Sequence, residues 1–356
     1  MRHAAVLMVV IAALLPASGR AQEQAPHSAR RAAPLYASQD VLELRLEAPL
    51  TSVLRDRGER RVREASLSYQ DPDAGPVTLD LGVRMRGNFR ADPDNCDFPP
   101  LRLDLDSANA EGTVFAGTER LWLVTHCRDR DPEYEQYVLR EYRTYRIYNL
   151  LTDVSVRARL VRITYVDTER RRATLTRYAF FVEDYNATAA RHGWEVLRVR
   201  GVLPAQYDED QLSLFEVFQF MIANTDWAVF SPRRGEDWCC HNAVPVGTWA
   251  GPVLPLPFDF DWSGMVNARY ASPSSRLRIP SVRVRRFWGI CRPREVLEGV
   301  FPLFNERREA IYELYRGHED LDARYVRETL EYLDEFYAII NDPEQVTREM
   351  MERCRM

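Results

Sequence analysis

Two kinds of hydrophobic periodicity divide this chain, and the division constrains its fold more than any other feature. In the first half, short segments such as 78–86 alternate apolar and polar residues, which is typical of β-strands with one buried face. From residue 212 onward, apolar residues recur at helical spacing, most clearly in 321–340. A strand-rich half followed by a helical half predicts the α+β class in two lobes, a strand-rich N-terminal lobe over 37–185 and a helical C-terminal lobe over 186–356.

The same patterns predict the individual elements. The predicted strands cover 41–46, 66–69, 78–86, 101–105, 121–125, 156–166 and 173–182, with one helix at 134–151. The helices predicted in the second half cover 212–222, 296–315 and 321–340. Pro302 is expected to interrupt the second of these, because proline lacks the N–H that a helix interior needs.

The first 21 residues have the pattern of an export signal. Arg2 precedes an apolar run over 4–15, and Gly19 and Ala21 place small residues where signal peptidase reads the chain. We therefore expect a signal peptide over 1–21, a disordered polar leader over 22–36 and a periplasmic or extracellular protein. No other stretch approaches the roughly 20 apolar residues of a spanning helix, so no transmembrane anchor is expected after cleavage.

The basic residues restrict the possible chemistry. All 48 of them are arginine, which excludes a Schiff base, a Walker lysine and a lysine general base. A phosphate anchor would have to be arginine, whose forked donors suit phosphate well. Loss of Arg2 and Arg20 with the signal peptide would change the formal charge from -5 to -7, which argues against a nucleic-acid partner.

The six cysteines predict disulfide bonds, as is usual in an exported protein. We expect Cys96 and Cys127 to pair with each other or to pin the Cys239-Cys240 loop. A zinc site at Cys239-Cys240-His241 is the weaker alternative, because adjacent residues rarely chelate one tetrahedral ion.

The residues that point to a function lie between 211 and 264. The apolar run 212–222 predicts a buried helix, and it ends abruptly at Asn224 and Asp226. His241-Asn242 and Asp259-x-Asp261 follow, the latter after another apolar stretch. Three sets of metal-binding side chains beside apolar elements predict one cleft that holds a divalent cation and a phosphate.

Phosphoryl transfer needs a carboxylate beside the attacking hydroxyl, ligands for the metal and an anchor for the phosphates. Asp226 is the candidate for the first role, and Asn242, Asp259 and Asp261 are candidates for the second. The order Asp, Asn, Asp matches protein kinases, although Asn242 lies sixteen positions after Asp226, a longer gap than theirs. The alternative is that these residues only form turns, where Asp and Asn are common.

Two arginines of the strand-rich half are candidates for the phosphate anchor. Arg86 precedes Gly87, and glycine permits a close backbone approach to a phosphate. Arg102 is expected to pair with Glu141 on the helix at 134–151, with a surface salt bridge of little energetic value as the alternative.

The ordered set of motifs resembles the CotH-type (spore coat protein H) atypical protein kinases over about residues 44–264. The motifs that carry the resemblance are Met85-Arg-Gly-Asn88, the Pro100–Leu105 strand, Phe115-Ala-Gly117, Arg140-Glu141, Asn224-x-Asp226, His241-Asn242 and Asp259-x-Asp261. The strand position of the family's nucleotide-binding lysine is best matched here by Arg102.

The resemblance implies a two-lobed kinase-like fold and a secreted enzyme that transfers phosphate from ATP to protein Ser or Thr with Mg or Mn. It implies that Asp226 is the catalytic aspartate, that Asn242 and Asp259 are metal ligands and that Glu141 is the helix glutamate. Glu183 corresponds to the segment that links the lobes, where adenine would dock.

Two other functions fit the same residues. One is a non-catalytic envelope pseudokinase, a binding protein with the same fold. The other is a metal-dependent phosphodiester hydrolase that uses Asp226, Asp259, Asp261 and His241. Phosphotransfer would distinguish the kinase from the pseudokinase, and hydrolysis of phosphodiesters without ATP would favour the hydrolase.

Overall fold

The structure is a computed structural model that describes residues 32–72 and 74–355. The predicted signal peptide and the predicted leader up to residue 31 lie outside the described residues. The end of that leader differs from the prediction, because Pro34–Tyr36 form a 3₁₀ turn. Leu35 and Tyr36 are buried in the core of the strand-rich half, where they remove apolar surface from water.

Seven strands form a closed barrel in the order β1-β2-β3-β4-β5-β7-β6. The strands are β1 (Leu42–Ala48), β2 (Arg63–Asp71), β3 (Gly75–Met85), β4 (Leu101–Leu105), β5 (Arg120–Val124), β6 (Ala158–Asp167) and β7 (Leu175–Val182). Neighbouring strands are antiparallel except β1 and β6, which are parallel and close the barrel. Each predicted strand is therefore present, with ends that differ by a few residues.

The closed barrel shows that the expected two-lobe kinase-like fold is wrong. The closing pair aligns Leu42 with Val161, 119 positions later in the chain, and leaves the sheet without a free edge. Alternation reveals the buried face of a strand but not its neighbour, because pairing depends on residues that are distant in sequence. Residues on both sides of the predicted boundary at 185/186 belong to one apolar cluster.

Alternate apolar side chains fill the barrel. Leu79, Leu81, Val83 and Met85 of β3 are all buried, as their shared face predicts. The core of the barrel also takes in side chains from the other six strands.

Nine α-helices occur in the described chain, mostly in its second half. They are α1 (Leu50–Arg55), α2 (Ser107–Ala110), α3 (Glu133–Leu151), α4 (Tyr185–Arg191), α5 (Glu209–Met221), α6 (Arg294–Glu298), α7 (Phe301–Glu313), α8 (Ala323–Ile340) and α9 (Pro343–Glu349). Pro302 lies in the first turn of α7, so the segment predicted at 296–315 is two helices. None of the described helices has the length and apolar character needed to cross a membrane.

A second core joins α3 to the helices of the second half. Side chains of α3, α5, α7 and α8 pack into one apolar cluster with residues of β6 and β7. The second half also contains a three-stranded sheet in the order β10-β9-β8, formed by β8 (Glu195–Val196), β9 (Ala243–Gly247) and β10 (Val253–Pro257). The second half is therefore not purely helical.

The six cysteines form three pairs at disulfide distance. Cys96 and Cys127 pair with each other, which is one of the two expected arrangements, and their Cα atoms lie 4.9 Å apart. Cys291 pairs with Cys354 at the same Cα distance of 4.9 Å, and the adjacent Cys239 and Cys240 form the third pair. No free cysteine remains in the described chain.

Candidate active-site cleft

One cleft brings most of the predicted site residues together. Its volume is about 510 Å³, and Arg86, Asp226, Asn242, Asp259 and Asp261 all line it. The turn after β3, the segment after α5 and the two ends of the β9–β10 hairpin form its walls. Residues that are far apart in the sequence therefore face one cleft.

The β9–β10 hairpin explains why Asn242 and Asp259 are neighbours. The two strands are antiparallel, with Ala243 opposite Pro257, so the start of β9 meets the end of β10. Phe258 donates a backbone hydrogen bond to the carbonyl of Asn242 at 3.1 Å. Asn242, just before β9, and Asp259, just after β10, therefore line the cleft as neighbours.

Two cleft residues, and one residue in the segment that leads into the cleft, have left-handed backbone conformations. The φ angles of Asn242 and Asp259 are +50° and +62°, and that of Ala223, just before Asn224, is +50°. Such angles are costly for residues with a side chain, although Asn and Asp tolerate them best. Clusters of these conformations are typical of functional sites.

Three side chains hold the carboxylate of Asp226. Arg233 Nη2 donates to Oδ1 at 2.5 Å, and Asn242 Nδ2 donates to Oδ2 at 2.9 Å. His241 Nε2 lies 3.4 Å from Oδ2. Burial alone would raise the pKa of Asp226, but the hydrogen bond from His241 and the charge of Arg233 outweigh it and lower the pKa.

His241 lies between two carboxylates. Its Nδ1 is 2.6 Å from Glu236 Oε1, while Nε2 faces Asp226. Burial would lower the pKa of His241, but the hydrogen bonds to Asp226 and Glu236 raise it above its usual value. His241 therefore favours its charged form and orients Asp226.

Two cleft residues, Asp259 and Asp261, form an acidic trio with Glu141, which does not itself line the cleft. Glu141 and Asp261 are buried, whereas Asp259 is exposed to the cleft. Glu141 comes from α3, and Tyr145, one turn later, accepts a hydrogen bond from the backbone N–H of Asp259 at 2.8 Å. This hydrogen bond holds the backbone at Asp259 against α3.

Arg90 is the counter-ion of the trio. Its Nη2 lies 2.7 Å from Asp261, 3.3 Å from Glu141 and 4.0 Å from Asp259. Burial raises the pKa of Glu141 to about 8, although Arg90 acts in the opposite direction. The side chain of Asp259 is half exposed, but the protein atoms around it still displace solvent, and together with the charge of Asp261 this raises its pKa. A second positive charge at the trio would therefore be favourable.

The trio fits a hard divalent cation. One oxygen from each of its three carboxylates lies within 4.8 Å of the others. Glu141 Oε1 is buried and has no hydrogen-bond partner among the described residues, so it has an unused acceptor. Carboxylate oxygens are the ligands that Mg²⁺ and Mn²⁺ prefer. The amide nitrogen of Asn242, another expected ligand, donates to Asp226.

The expected pairing of Arg102 with Glu141 is wrong. Arg102 Nε donates to Asp104 at 2.6 Å, and Arg102 does not line the cleft. Leu101 and Leu103 point into the barrel, so the intervening residue points outward. Arg90 pairs with Glu141 instead. It lies in the irregular Phe89–Ala91 turn, where no periodicity marks it.

Glu183 is not a cleft residue either. It is 4% exposed, and its carboxylate pairs with Arg191 at 3.2 Å and accepts a hydrogen bond from Thr188 at 3.0 Å. Both partners belong to α4, so Glu183 anchors that helix. Glu183 directly follows strand β7 of the barrel, and its side chain is buried instead of facing a nucleotide.

Arg86 is a cation that lines the cleft without a carboxylate partner. Its guanidinium carbon lies 4.4 Å from the centre of the Trp122 ring. Among residues 32–72 and 74–355, no carboxylate lies within 4.0 Å of this guanidinium. Arg86 is therefore available for an anion that enters the cleft.

Comparisons with known proteins supply no family for this chain. Neither the protein-family models nor the curated proteins contain a match to it.

Proposed function

We propose that this protein is an exported, metal-dependent phosphotransferase that moves the γ-phosphate of ATP to a Ser or Thr of a protein. One observation carries the proposal. Asp226, Asp259, Asp261 and Arg86 line the same cleft, and two of them, Asp259 and Asp261, form with the buried Glu141 a trio that fits a cation. Among the described residues, Arg86 has no carboxylate partner. The motif order resembling CotH-type kinases agrees with this chemistry, although the kinase-like fold was not found.

The trio and Arg86 would bind the nucleotide. Glu141, Asp259 and Asp261 would hold Mg²⁺ or Mn²⁺, which neutralises phosphate oxygens when bound. Arg86 would hold a phosphate through two parallel N–H donors. Arg90 keeps the trio together by its contacts to Glu141 and Asp261.

Asp226 would act on the acceptor hydroxyl. Its carboxylate is ionised at neutral pH, because His241 and Arg233 lower its pKa. An ionised carboxylate orients a hydroxyl and accepts its proton as the new bond to phosphorus forms. Asn242 and His241 would fix the direction of Asp226.

The test separates binding from transfer. Calorimetry with ATP and Mn²⁺ should show binding to the wild type and to Asp226→Asn, while Arg86→Met weakens it at least tenfold, about 1.4 kcal/mol. A radiolabelled transfer assay with a mixed Ser/Thr peptide pool should show activity that Asp226→Asn removes. Arg102→Met is the matched control and should change neither result, because it lies outside the cleft. Absence of nucleotide binding to the wild type would refute the proposal.

A non-catalytic binding protein is the second candidate, and one observation favours it. Both oxygens of Asp226 are already engaged by Arg233, Asn242 and His241, which makes this carboxylate a weaker base. ATP binding by the wild type without any transfer would support this candidate over the first.

A further inference from the structure

A second cavity adjoins the cleft. Its volume is about 530 Å³, and Asp226, Arg233 and Trp262 line both it and the cleft. Its other walls come from the segments around 227–234, 272–276 and Trp288. A molecule that occupies this cavity would therefore lie beside the carboxylate of Asp226.

The lining of this cavity is strongly cationic. Four arginines line it: Arg233, Arg234, Arg276 and Arg355. Among the described lining residues, Asp226 is the only carboxylate, and it is paired with Arg233. The other three arginines form no ion pair within the described part of the chain. Their charge would favour an anionic ligand.

Arg355 is held rigidly at the wall of this cavity. Its guanidinium carbon lies 4.4 Å from the Trp288 ring centre and 5.3 Å from that of Trp227. Its backbone N–H donates to Gly289 at 2.8 Å, and its carbonyl accepts from Cys291 at 2.8 Å. The neighbouring Cys354 pairs with Cys291. The guanidinium therefore loses little conformational freedom when it binds an anion.

Two side-chain donors of Arg355 lack hydrogen-bond partners in the part of the chain that the structure describes. Its buried Nε and Nη2 have no hydrogen-bond acceptor among the described residues. The nearby buried carboxylate of Glu216 is already paired with Arg292 at 2.5 Å. Buried donors without acceptors are costly and rare, so these two call for an explanation. An anionic ligand beside Arg355 that supplies acceptors is the explanation that we infer from the adjoining cationic cavity.

We propose that the Arg355 cavity binds an anionic group, a carboxylate or a phosphate, on an acidic peptide. The role of this peptide as a substrate rests on the proposed phosphotransferase function. The acceptor hydroxyl would then lie at Asp226 and an acidic side chain of the same peptide in the cavity. A peptide fits better than a nucleic acid, because the cationic surface is a confined cavity and the chain carries a formal charge of -5.

The test measures peptide binding without ATP or metal. Fluorescence anisotropy would compare three labelled heptapeptides with a central Ser, one flanked by Glu, one by phosphoserine and one by Lys. We expect the two acidic peptides to bind and the Lys peptide not to bind. The stronger of the two acidic peptides identifies the anion. Arg355→Gln should weaken acidic-peptide binding at least tenfold, as expected when a charged hydrogen-bonding group is lost.

Two variants control for fold and charge. Arg278→Gln removes an exposed arginine outside the cavity and should leave the affinity within twofold of wild type. Arg355→Lys keeps the charge and should recover part of the affinity, and melting curves would show that each variant is folded. Equal binding of the Glu and Lys peptides, unchanged binding by Arg355→Gln, or tighter binding of a single-stranded oligonucleotide would each overturn the inference.

The outcomes for the two proposals are distinguishable. Arg355-dependent peptide binding without ATP binding would sustain the anion site and refute the phosphotransferase. Transfer to acidic and basic peptides at equal rates would sustain the phosphotransferase and refute the anion site.

Discussion

At the scale of single residues, Arg90 controls the charge of the cleft. It is 8% exposed and contacts two buried carboxylates, Glu141 and Asp261. Buried charges are tolerated only when they are paired, so each of these groups depends on the others. The same arrangement leaves Glu141 Oε1 without a hydrogen-bond partner within residues 32–72 and 74–355, which is why the trio can accept a further cation.

We expect Arg90→Met to destabilise the protein by about 3–5 kcal/mol, because it leaves buried carboxylates without a counter-charge. Urea denaturation would measure the loss. Arg45→Met is the matched control, since Arg45 and Glu47 form a pair with side chains 49% and 41% exposed. Such a pair contributes less than about 1 kcal/mol. Similar stability of the two variants would contradict the role given to Arg90. Mn²⁺ should stabilise Arg90→Met more than the wild type, because the variant trio lacks its own cation.

At the scale of elements, α5 positions the segment that carries Asp226. Every residue from Leu212 to Met221 is buried, including Glu216. Glu216 accepts hydrogen bonds from Ile290 N at 3.1 Å and from Arg292. A carboxylate inside this apolar helix therefore ties α5 to the chain that leads to α6.

Glu216 makes stability depend on pH. Burial raises its pKa from 4.5 to about 7, although Arg292 partly opposes this. The folded protein therefore binds a proton more tightly than the unfolded chain, and this contribution to stability is lost as the pH rises from about 4.5 to about 7.

We expect Glu216→Gln to abolish this loss of folding stability with rising pH. Between pH 4.5 and 7, the free energy of unfolding of the wild type should fall relative to the variant by up to about 1.4 kcal/mol per pH unit. Urea denaturation at several pH values would measure both slopes. Glu43→Gln, at a 66% exposed side chain, should keep the wild-type slope. A wild-type curve parallel to that of Glu216→Gln would show that folding does not shift the pKa of Glu216.

At the scale of the whole molecule, a barrel core and a helical core are joined by strands common to both. β6 and β7 contribute to the two apolar clusters from their opposite faces and ends. The Cys291–Cys354 pair adds a long-range connection within the second half, 63 positions apart in sequence. This connection also holds Arg355 against its cavity.

We expect replacement of both Cys291 and Cys354 by Ser to cost about 4 kcal/mol, because the unfolded chain gains the entropy of a long loop. Thermal and urea unfolding under oxidising conditions would measure the change. Replacement of Cys239 and Cys240 by Ser is the matched control and should cost under about 1 kcal/mol, since adjacent residues close almost no loop. Equal losses for the two double variants would show that loop entropy is not the cause.

The individual elements could be predicted from the sequence for a local reason. The alternation of Leu79, Leu81 and Val83 shows which face of β3 is buried, since side-chain direction repeats every two residues. The continuous apolar run 212–222 similarly predicts α5, and the polar residues after it predicted Asp226 as a cleft residue. Asp259 and Asp261 were predicted in the same way, from a polar pair that follows an apolar stretch, and Asn242 was predicted from the pair His241-Asn242, which lies close to an apolar element.

Only the tertiary structure decided which partner each charge and each strand edge has. Arg90 meets Glu141 across 51 positions, and β1 meets β6 to close the barrel. No periodic pattern marks Arg90, while Arg102 and Glu183 had the expected residue types but found partners at Asp104 and Arg191. The physical reason is that hydrophobic periodicity reports the orientation of a side chain within its own element. The pairing of strands and charges depends on how the elements pack, which minimises free energy over the whole chain.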